Sequence, residues 1–225
     1  MEKKIVSILI PAYNEEKRIG KTLEPLLKSQ FIHEIIVIDD GSQDQTAKKA
    51  MEKGVIVSRL EKNMGKGWAL QHGIKQANGN IIGFLDADTE ESSIEIEKLI
   101  QPVLADQCDV TIGKFPKAKK KGGFGLVKWL AYRGVYFYTN KHVSSSLSGQ
   151  RVFKREVLEK IHLPTGGYGV EVDMTIDILQ SRYRIIEVPV NMKHAETGRD
   201  LEGFKHRGKQ FFHILMVLMK RLGKR

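Results

Sequence analysis

The first hundred residues alternate short apolar runs with longer amphipathic segments. Residues 5–10, 34–38, 55–60 and 81–85 are dominated by Ile, Val and Leu and have the length of buried strands. Between them, residues 15–29, 44–53 and 66–77 carry apolar side chains at helical spacing and open on polar residues. Strand, helix, strand repeated in this way predicts a parallel sheet joined by right-handed crossovers. A helix over 93–105 and a strand over 109–113 continue the pattern.

Beyond residue 113 the alternation changes. Residues 114–123 hold five lysines, one proline and two glycines and read as a flexible basic loop. An aromatic-rich helix is expected over 124–141, a strand over 150–153, a helix over 170–181 and a strand over 184–190. A polar loop, 191–203, leads to a closing helix, 204–222. In that helix Phe204, Phe211, Leu215, Leu218 and Leu222 fall near one face, and Lys205, Lys209, Lys220, Lys224 and Arg225 flank or follow it. A basic amphipathic helix suits either packing on the sheet or lying on an anionic membrane. No repeat and no linker divides the chain. The expected fold is one α/β domain over 1–225, with an ordered first half (1–113), an elaborated second half (114–203) and a closing helix (204–225).

Composition narrows the class. With 225 residues the chain can bury a substantial core. Cys108 stands alone, which excludes an internal disulfide and suits a reducing compartment. The opening apolar run is too short for a signal peptide and is closed by Pro11. No stretch approaches the roughly 20 apolar residues that cross a bilayer. A cytoplasmic protein is expected, with any membrane contact peripheral and on the cytoplasmic face. The net charge of +10 is uneven: residues 1–100 carry 14 Lys/Arg against 16 Asp/Glu, residues 101–225 carry 23 against 11. The second half is therefore expected to meet something anionic.

The early strands end in groups that suit a ligand. The first runs into Pro11-Ala12-Tyr13-Asn14-Glu15-Glu16, the second into Asp39-Asp40-Gly41-Ser42, the fourth into Asp86-Ala87-Asp88. In a parallel sheet these ends lie along one edge and converge on one cleft. Acidic groups there can accept hydrogen bonds from nucleobase N–H groups and ribose hydroxyls, although Asp40, Ser42 and Asp44 would also serve as helix caps. Two carboxylates at positions i and i+2 of an extended chain point the same way, and hard divalent cations are held by such oxygens together with phosphate. Asn63-Met64-Gly65-Lys66-Gly67 adds a pliable backbone and a cation. The third glycine of a dinucleotide fingerprint is absent, as is a phosphate loop ending in Gly-Lys-Ser/Thr. A nucleotide whose diphosphate is held through a metal fits this set.

These four ordered motifs resemble family-2 glycosyltransferases in residue type, order and spacing, closely over the first ninety residues and more loosely to about residue 200. The resemblance implies the A-type glycosyltransferase fold, a Rossmann-like, mostly parallel sheet flanked by helices. It also implies a nucleotide-diphosphate sugar donor, UDP- or GDP-linked, and Mg²⁺ or Mn²⁺. Carried over to this chain, Pro11, Tyr13 and Glu15 would line the base pocket, and Asp39 or Asp40 with Lys66 would contact base and ribose. Asp86 would bind the ribose or a metal-bound water, and Asp88 the metal. On this reading residues 1–113 bind the donor and 114–203 the acceptor. Ser148-Gly149-Gln150-Arg151 resembles the segment lining the sugar and acceptor site. Gly166 to Asp173 resembles the stretch that supplies a catalytic base in inverting members, with Asp173 the first choice and Glu171 the second. His194 would complete the metal shell and Arg199 would clasp the diphosphate. An acceptor that is already a phosphate anion needs no base. Similarity to dolichol-phosphate mannosyltransferases points to a polyprenyl phosphate; similarity to glucosyl-3-phosphoglycerate synthases points to a phosphorylated metabolite and a retaining reaction. The rival readings are a nucleotide-sugar-binding protein without catalysis and a basic nucleic-acid binder. Against the second, the lysines gather in one loop and the tail rather than on an aromatic sheet.

Overall fold

The computed structural model describes residues 4–116, 125–164, 169–193 and 201–223, the side chains of 201–206 apart. Seven strands form one sheet: β1 (Val6–Ala12), β2 (Glu34–Asp39), β3 (Ile56–Arg59), β4 (Ile81–Phe84), β5 (Val110–Lys114), β6 (Arg151–Lys154) and β7 (Ile185–Pro189), in the order β3-β2-β1-β4-β6-β5-β7. β1 pairs in parallel with β2 and β4, β2 with β3, and β5 with β7. Only β6 runs against its neighbours. The pairing of Phe84 with Arg151 brings the start of β6 beside the end of β4. Because β6 lies between β4 and β5, both halves of the chain share one sheet.

Alternation along the strands divides the core into two layers. Leu9, Ile36, Ile38, Ile82 and Phe84 face one side, where they meet α3 (Lys66–Gln76), α5 (Leu126–Thr139), α6 (Arg155–Lys160) and α7 (Val170–Gln180). Ile8, Ile10, Val37, Ile81 and Leu85 face the other, against α1 (Ile19–Leu26) and α4 (Ile96–Leu104), with α2 (Thr46–Glu52) contributing Ala50. The helices bury one stripe each, as Ile19, Leu23 and Leu26 do on α1. The result is a single α/β domain with a mostly parallel sheet between two helical layers.

Boundaries shift where local bonding competes with periodicity. The carbonyl of Glu15 accepts the N–H groups of Arg18 and Ile19, so residues 15–18 form a turn and α1 starts later than its pattern suggests. The helix expected over 93–105 splits into a 3₁₀ segment, Glu90–Glu95, and α4. α6 has six residues, too few to register as a periodic pattern.

The closing helix, α8 (Leu201–Leu222), packs on the protein. Ile214 is fully buried and Leu218 nearly so. Tyr138 Oη donates to the Leu218 carbonyl at 2.6 Å. A Cβ on Gly134 would sit 2.6 Å from Leu218 Cδ1, and one on Gly169 2.7 Å from Val217 Cγ2, so two glycines admit the helix against α5 and the start of α7. Arg221 closes the contact with ion pairs to Asp173 and Asp177.

Candidate active site

The carboxyl ends of β1, β2 and β4 carry the first three motifs to one edge of the sheet. The turns after β1 and β2 are laced together by short side chains. Asn14 N–H donates to Ser42 Oγ at 2.9 Å, Glu15 N–H to Thr46 Oγ1 at 2.7 Å, and Glu16 N–H to Asp44 Oδ2 at 3.1 Å. Asp44 also takes the Thr46 N–H in an i to i+2 turn just before α2, whose N-cap position is Gln45 and carries no side-chain cap bond. Tyr13 is 42% exposed at the mouth of this edge and Pro11 is half-buried. Glu15 is engaged by both arms of Arg18, at 2.7 and 2.8 Å. Burial nonetheless raises the Glu15 carboxyl above its ordinary value, aided by the charges of Asp88 and Asp44.

Asp39 and Asp40 have separate tasks. Asp40 accepts the N–H groups of Met64 at 2.7 Å and Gly65 at 2.8 Å, fixing the loop that precedes α3. That loop passes so close that a Cβ on Gly41 would lie 2.5 Å from the Lys62 carbonyl carbon, and Gly41 has φ +72°; only glycine fits. Asp39 is wholly buried. Its Oδ1 accepts the Ser42 N–H at 3.1 Å, while Oδ2 lies 3.2 Å from Arg59 Nε without the alignment of a hydrogen bond. One Asp39 oxygen therefore lacks a donor.

Past β4 the chain turns at Ala87 and Asp88: Asp86 and Asp88 are half-exposed and Ala87 is buried. Thr22 on α1, fully buried, holds this turn from below. Its Oγ1 donates to the Ala87 carbonyl at 2.8 Å and accepts the Glu90 N–H at 2.9 Å. The charge of Asp88 reaches Glu15 and Arg18, placing it on the side of the β1 turn. Asp86 turns toward the second half of the chain. Gln150, 1% exposed, donates to Asp86 Oδ2 at 2.7 Å and accepts the Asp86 N–H at 3.1 Å. Lys66 Nζ is 2.6 Å from Asp86 Oδ1 and 3.6 Å from Glu171 Oε1. Burial works against the Lys66 charge, but these two carboxylates outweigh it and raise its pKa above the ordinary value. Gly149 lies against this pair; a Cβ there would be 2.4 Å from Lys66 Nζ and 3.3 Å from both Asp86 oxygens.

Two expected site residues stand elsewhere. Glu171 and Asp173 begin α7, and residues two apart on a helix diverge by about 200°. Glu171 faces Lys66, whereas Asp173, the first choice for a base, is bound by Arg221 of α8 and turned away from the Lys66–Asp86 pair. Arg151 is 0% exposed, and its guanidinium donates to the carbonyls of Ser148, Ser146 and Glu171 at 2.8–3.0 Å. Arg151 therefore lies beneath residues 146–148 and holds them to α7, with its guanidinium turned inward. Burial pushes its pKa down to about 10, with Glu171 opposing, which still leaves it charged at neutral pH. His194 and Arg199 lie outside the described residues. Among the described residues no three His, Cys, Asp or Glu side chains gather as a metal cluster.

The sequence pattern of Glycosyl transferase family 2 matches residues 7–162, which includes every one of the four motifs and the Gly149–Arg151 segment. The chain belongs to this family. A UDP-N-acetylglucosamine–dolichyl-phosphate N-acetylglucosaminyltransferase from Methanococcus voltae is 29% identical over 256 residues, covering 97% of this chain and 98% of its own. A glucosyl-3-phosphoglycerate synthase from Mycolicibacterium smegmatis is 31% identical over 193 residues, covering 76% of this chain and 63% of its own. The structure of such a synthase from Mycobacterium tuberculosis, in complex with Mn²⁺, UDP and phosphoglyceric acid, superposes with a TM-score of 0.80 at 26% identity, over 98% of this chain and 79% of that one. The fold is the A-type glycosyltransferase fold.

Three residues of this glycosyltransferase escaped the sequence reading. Thr22 left a signal, as a polar residue on the apolar stripe of α1. Arg18 and Arg59 stood out little, because surface arginines are common; Glu15 lies three residues before Arg18, whereas Asp39 becomes a neighbour of Arg59 only on folding.

Proposed function

We propose that this glycosyltransferase moves a sugar from a UDP-linked donor to the phosphate of an anionic acceptor, with a polyprenyl phosphate as the acceptor class. The observation that carries this reading is the Lys66, Asp86, Gln150 and Glu171 network. It ties the exit of a donor-side strand to the first residues of two second-half elements, where a donor sugar and an acceptor would have to meet. The Methanococcus voltae relative's name supplies both a UDP sugar and a dolichyl phosphate, and its match runs the length of both chains. GDP was the alternative donor base.

In this reading Pro11, Tyr13 and Glu15 border the base, and Asp39 with Asp40 set the floor for base and ribose. Asp86 and Asp88 offer hard oxygen donors at either end of a half-exposed turn, a donor set that suits Mg²⁺ or Mn²⁺; Asp88, Asp86 and His194 would hold the ion together with the donor's diphosphate. Such an ion, when bound, offsets charge growing on the departing UDP. Lys66 exchanges its pairing with Asp86 for the diphosphate when the donor enters, and Gln150 keeps the Asp86 carboxylate turned to the cleft during that exchange. Gly149, lacking a side chain, lets Lys66 and Asp86 lie against this segment, and Arg199 would clasp the diphosphate. A phosphate acceptor is nucleophilic as an anion, so Glu171 has no proton to remove and instead holds Lys66 at the acceptor side. Asp173, bound to Arg221, positions α7.

A second reading takes 3-phosphoglycerate as acceptor, favoured by the superposition on the synthase. The test is transfer of radiolabel from UDP-glucose and UDP-N-acetylglucosamine to undecaprenyl phosphate or to 3-phosphoglycerate, with Mn²⁺ or EDTA. Label in the organic phase, lost with EDTA, is the expected result. Label only in an aqueous phosphoglycerate product establishes the second reading. No label in either phase overturns both.

A further inference from the structure

More than half of the large apolar side chains exposed among the described residues lie on two neighbouring helices, α5 and α8. Leu126, Trp129 and Phe137 on α5 and Phe212, Met216 and Met219 on α8 are each 40–61% exposed. The fixed contacts orient them. On α8, Leu218 meets α5 while Val217 and Arg221 turn to α7. At about 100° per residue, Met219, Phe212 and Met216 follow on the flank of Leu218 away from α7. On α5, Gly134 and Tyr138 meet α8, and Phe137 with Leu126 follow on the flank that borders it from outside. The two exposed stripes thus adjoin across the α5–α8 contact. Exposed Arg133, Lys209 and Lys220 accompany them, in the half of the chain that carries the excess of basic residues.

We infer that this face docks on an anionic lipid bilayer. Apolar side chains, an aromatic of interfacial type and a basic rim are the combination by which a surface helix lies in a headgroup layer. Charge complementarity selects this occupant. A second copy of the same face would bring the lysines of both copies together, which opposes self-pairing. The helix that carries the docked face also touches the element bearing Glu171: on its opposite flank Val217 packs on Gly169, two residues before Glu171. A membrane-borne acceptor would then reach the acceptor side of the cleft from the surface on which the protein sits. The docking itself needs no turnover, so it stands or falls apart from the transferase reading.

The test is sedimentation of the full chain with vesicles of phosphatidylcholine alone, or with about a third phosphatidylglycerol. UDP binding is measured by calorimetry on the same samples. The chain should bind the anionic vesicles only, less at high salt, and with a blue shift of Trp129 emission in the Trp68→Phe background. Lys209→Glu with Lys220→Glu should weaken partitioning by about tenfold or more. Phe212→Ser with Met219→Ser should weaken it comparably and abolish the blue shift, with UDP binding unchanged in both variants. Absence of vesicle binding in a chain that binds UDP overturns the inference, as does vesicle binding that ignores all four substitutions. A dimer lost in the Phe212→Ser, Met219→Ser variant, without vesicle binding, makes the face a self-association surface instead. The charge-reversal pair is fully surface-borne and keeps the test decisive if the apolar pair impairs folding.

Discussion

The two edges of the sheet each hold a cluster of carboxylates and cations, and they are built for opposite ends. At the amino end of β5, Asp109 accepts the backbone N–H of Arg184 at 2.8 Å, its guanidinium at 3.0 and 3.2 Å, and Lys154 Nζ at 2.9 Å. Its side chain is 12% exposed, and both cations come from neighbouring strand ends. At the carboxyl edge, Asp86 is 32% exposed, and Lys66 comes from the start of α3, after a loop fixed by Asp40. The first cluster joins β5, β6 and β7 with every partner in place. The second is more open to solvent, and Gly149, lacking a side chain, lets Lys66 and Asp86 lie directly against its backbone. Acid–base pairing alone therefore does not mark a candidate site; the edge of the sheet and exposure do.

Exchanging the acids should break the comparison most sharply. Asp88→Ala is expected to lower transfer by about 10³-fold while leaving the melting temperature within about 2 °C, measured by radiolabel transfer and calorimetric melting. Asp109→Asn should do the reverse: a loss of about 2–3 kcal/mol of stability in urea titration, with activity per folded molecule unchanged. The same pair predicts a pH signature. Hydrogen bonds from Arg184 hold the Asp109 carboxyl well below the usual carboxylate range, against the effect of burial. A depressed folded pKa contributes stability that is present above the unfolded value and is lost as pH falls through the folded one. The melting-temperature gap between wild type and Asp109→Asn should therefore narrow as pH is lowered from about 5 to about 2. A constant gap would show that the loss is one of packing.

Smaller changes sharpen the functional edge. Gly149→Ala should push Lys66 aside and cost about a hundredfold in transfer, with little effect on folding because the contacted atom ends a flexible side chain. Gln150→Leu leaves the Asp86 carboxylate unsteered and its N–H without a partner. It should lower metal-dependent UDP affinity by about 10–100-fold and stability by about 1–2 kcal/mol. Thr22→Val, which keeps the shape beneath the Asp-x-Asp turn but removes its hydroxyl, should have the smallest effect, about 1 kcal/mol in stability. Its companion loss of UDP affinity should be no more than tenfold.

The donor edge was legible because its motifs are local. Each consists of a strand's apolar run followed within a few residues by the groups it presents, so periodicity located the strands and, with them, the sheet edge at which those groups gather. The second half was less so. β6 has four residues and runs antiparallel, and nothing in its sequence says which way it enters the sheet. Arg151 looked like a ligand contact by type, and only folding shows its charge turned inward onto three carbonyls. Glu171 and Asp173 were indistinguishable by composition. The choice between them rests on which face of α7 meets Lys66 and which meets Arg221, a tertiary fact. Of the two expectations for the closing helix, packing on the protein is what the structure displays: one face lies on α5 and α7, and the other remains exposed.

The central claim is that the carboxyl edge holds a metal-dependent nucleotide site centred on the Asp-x-Asp motif. It is tested most directly by calorimetric titration with UDP and UDP-sugars, in Mn²⁺ and in EDTA, on wild type and Asp88→Ala. UDP binding that appears with Mn²⁺ and disappears with EDTA or in the variant is the predicted result. Binding that is equal in all three conditions, or absent from the folded wild type, would contradict it.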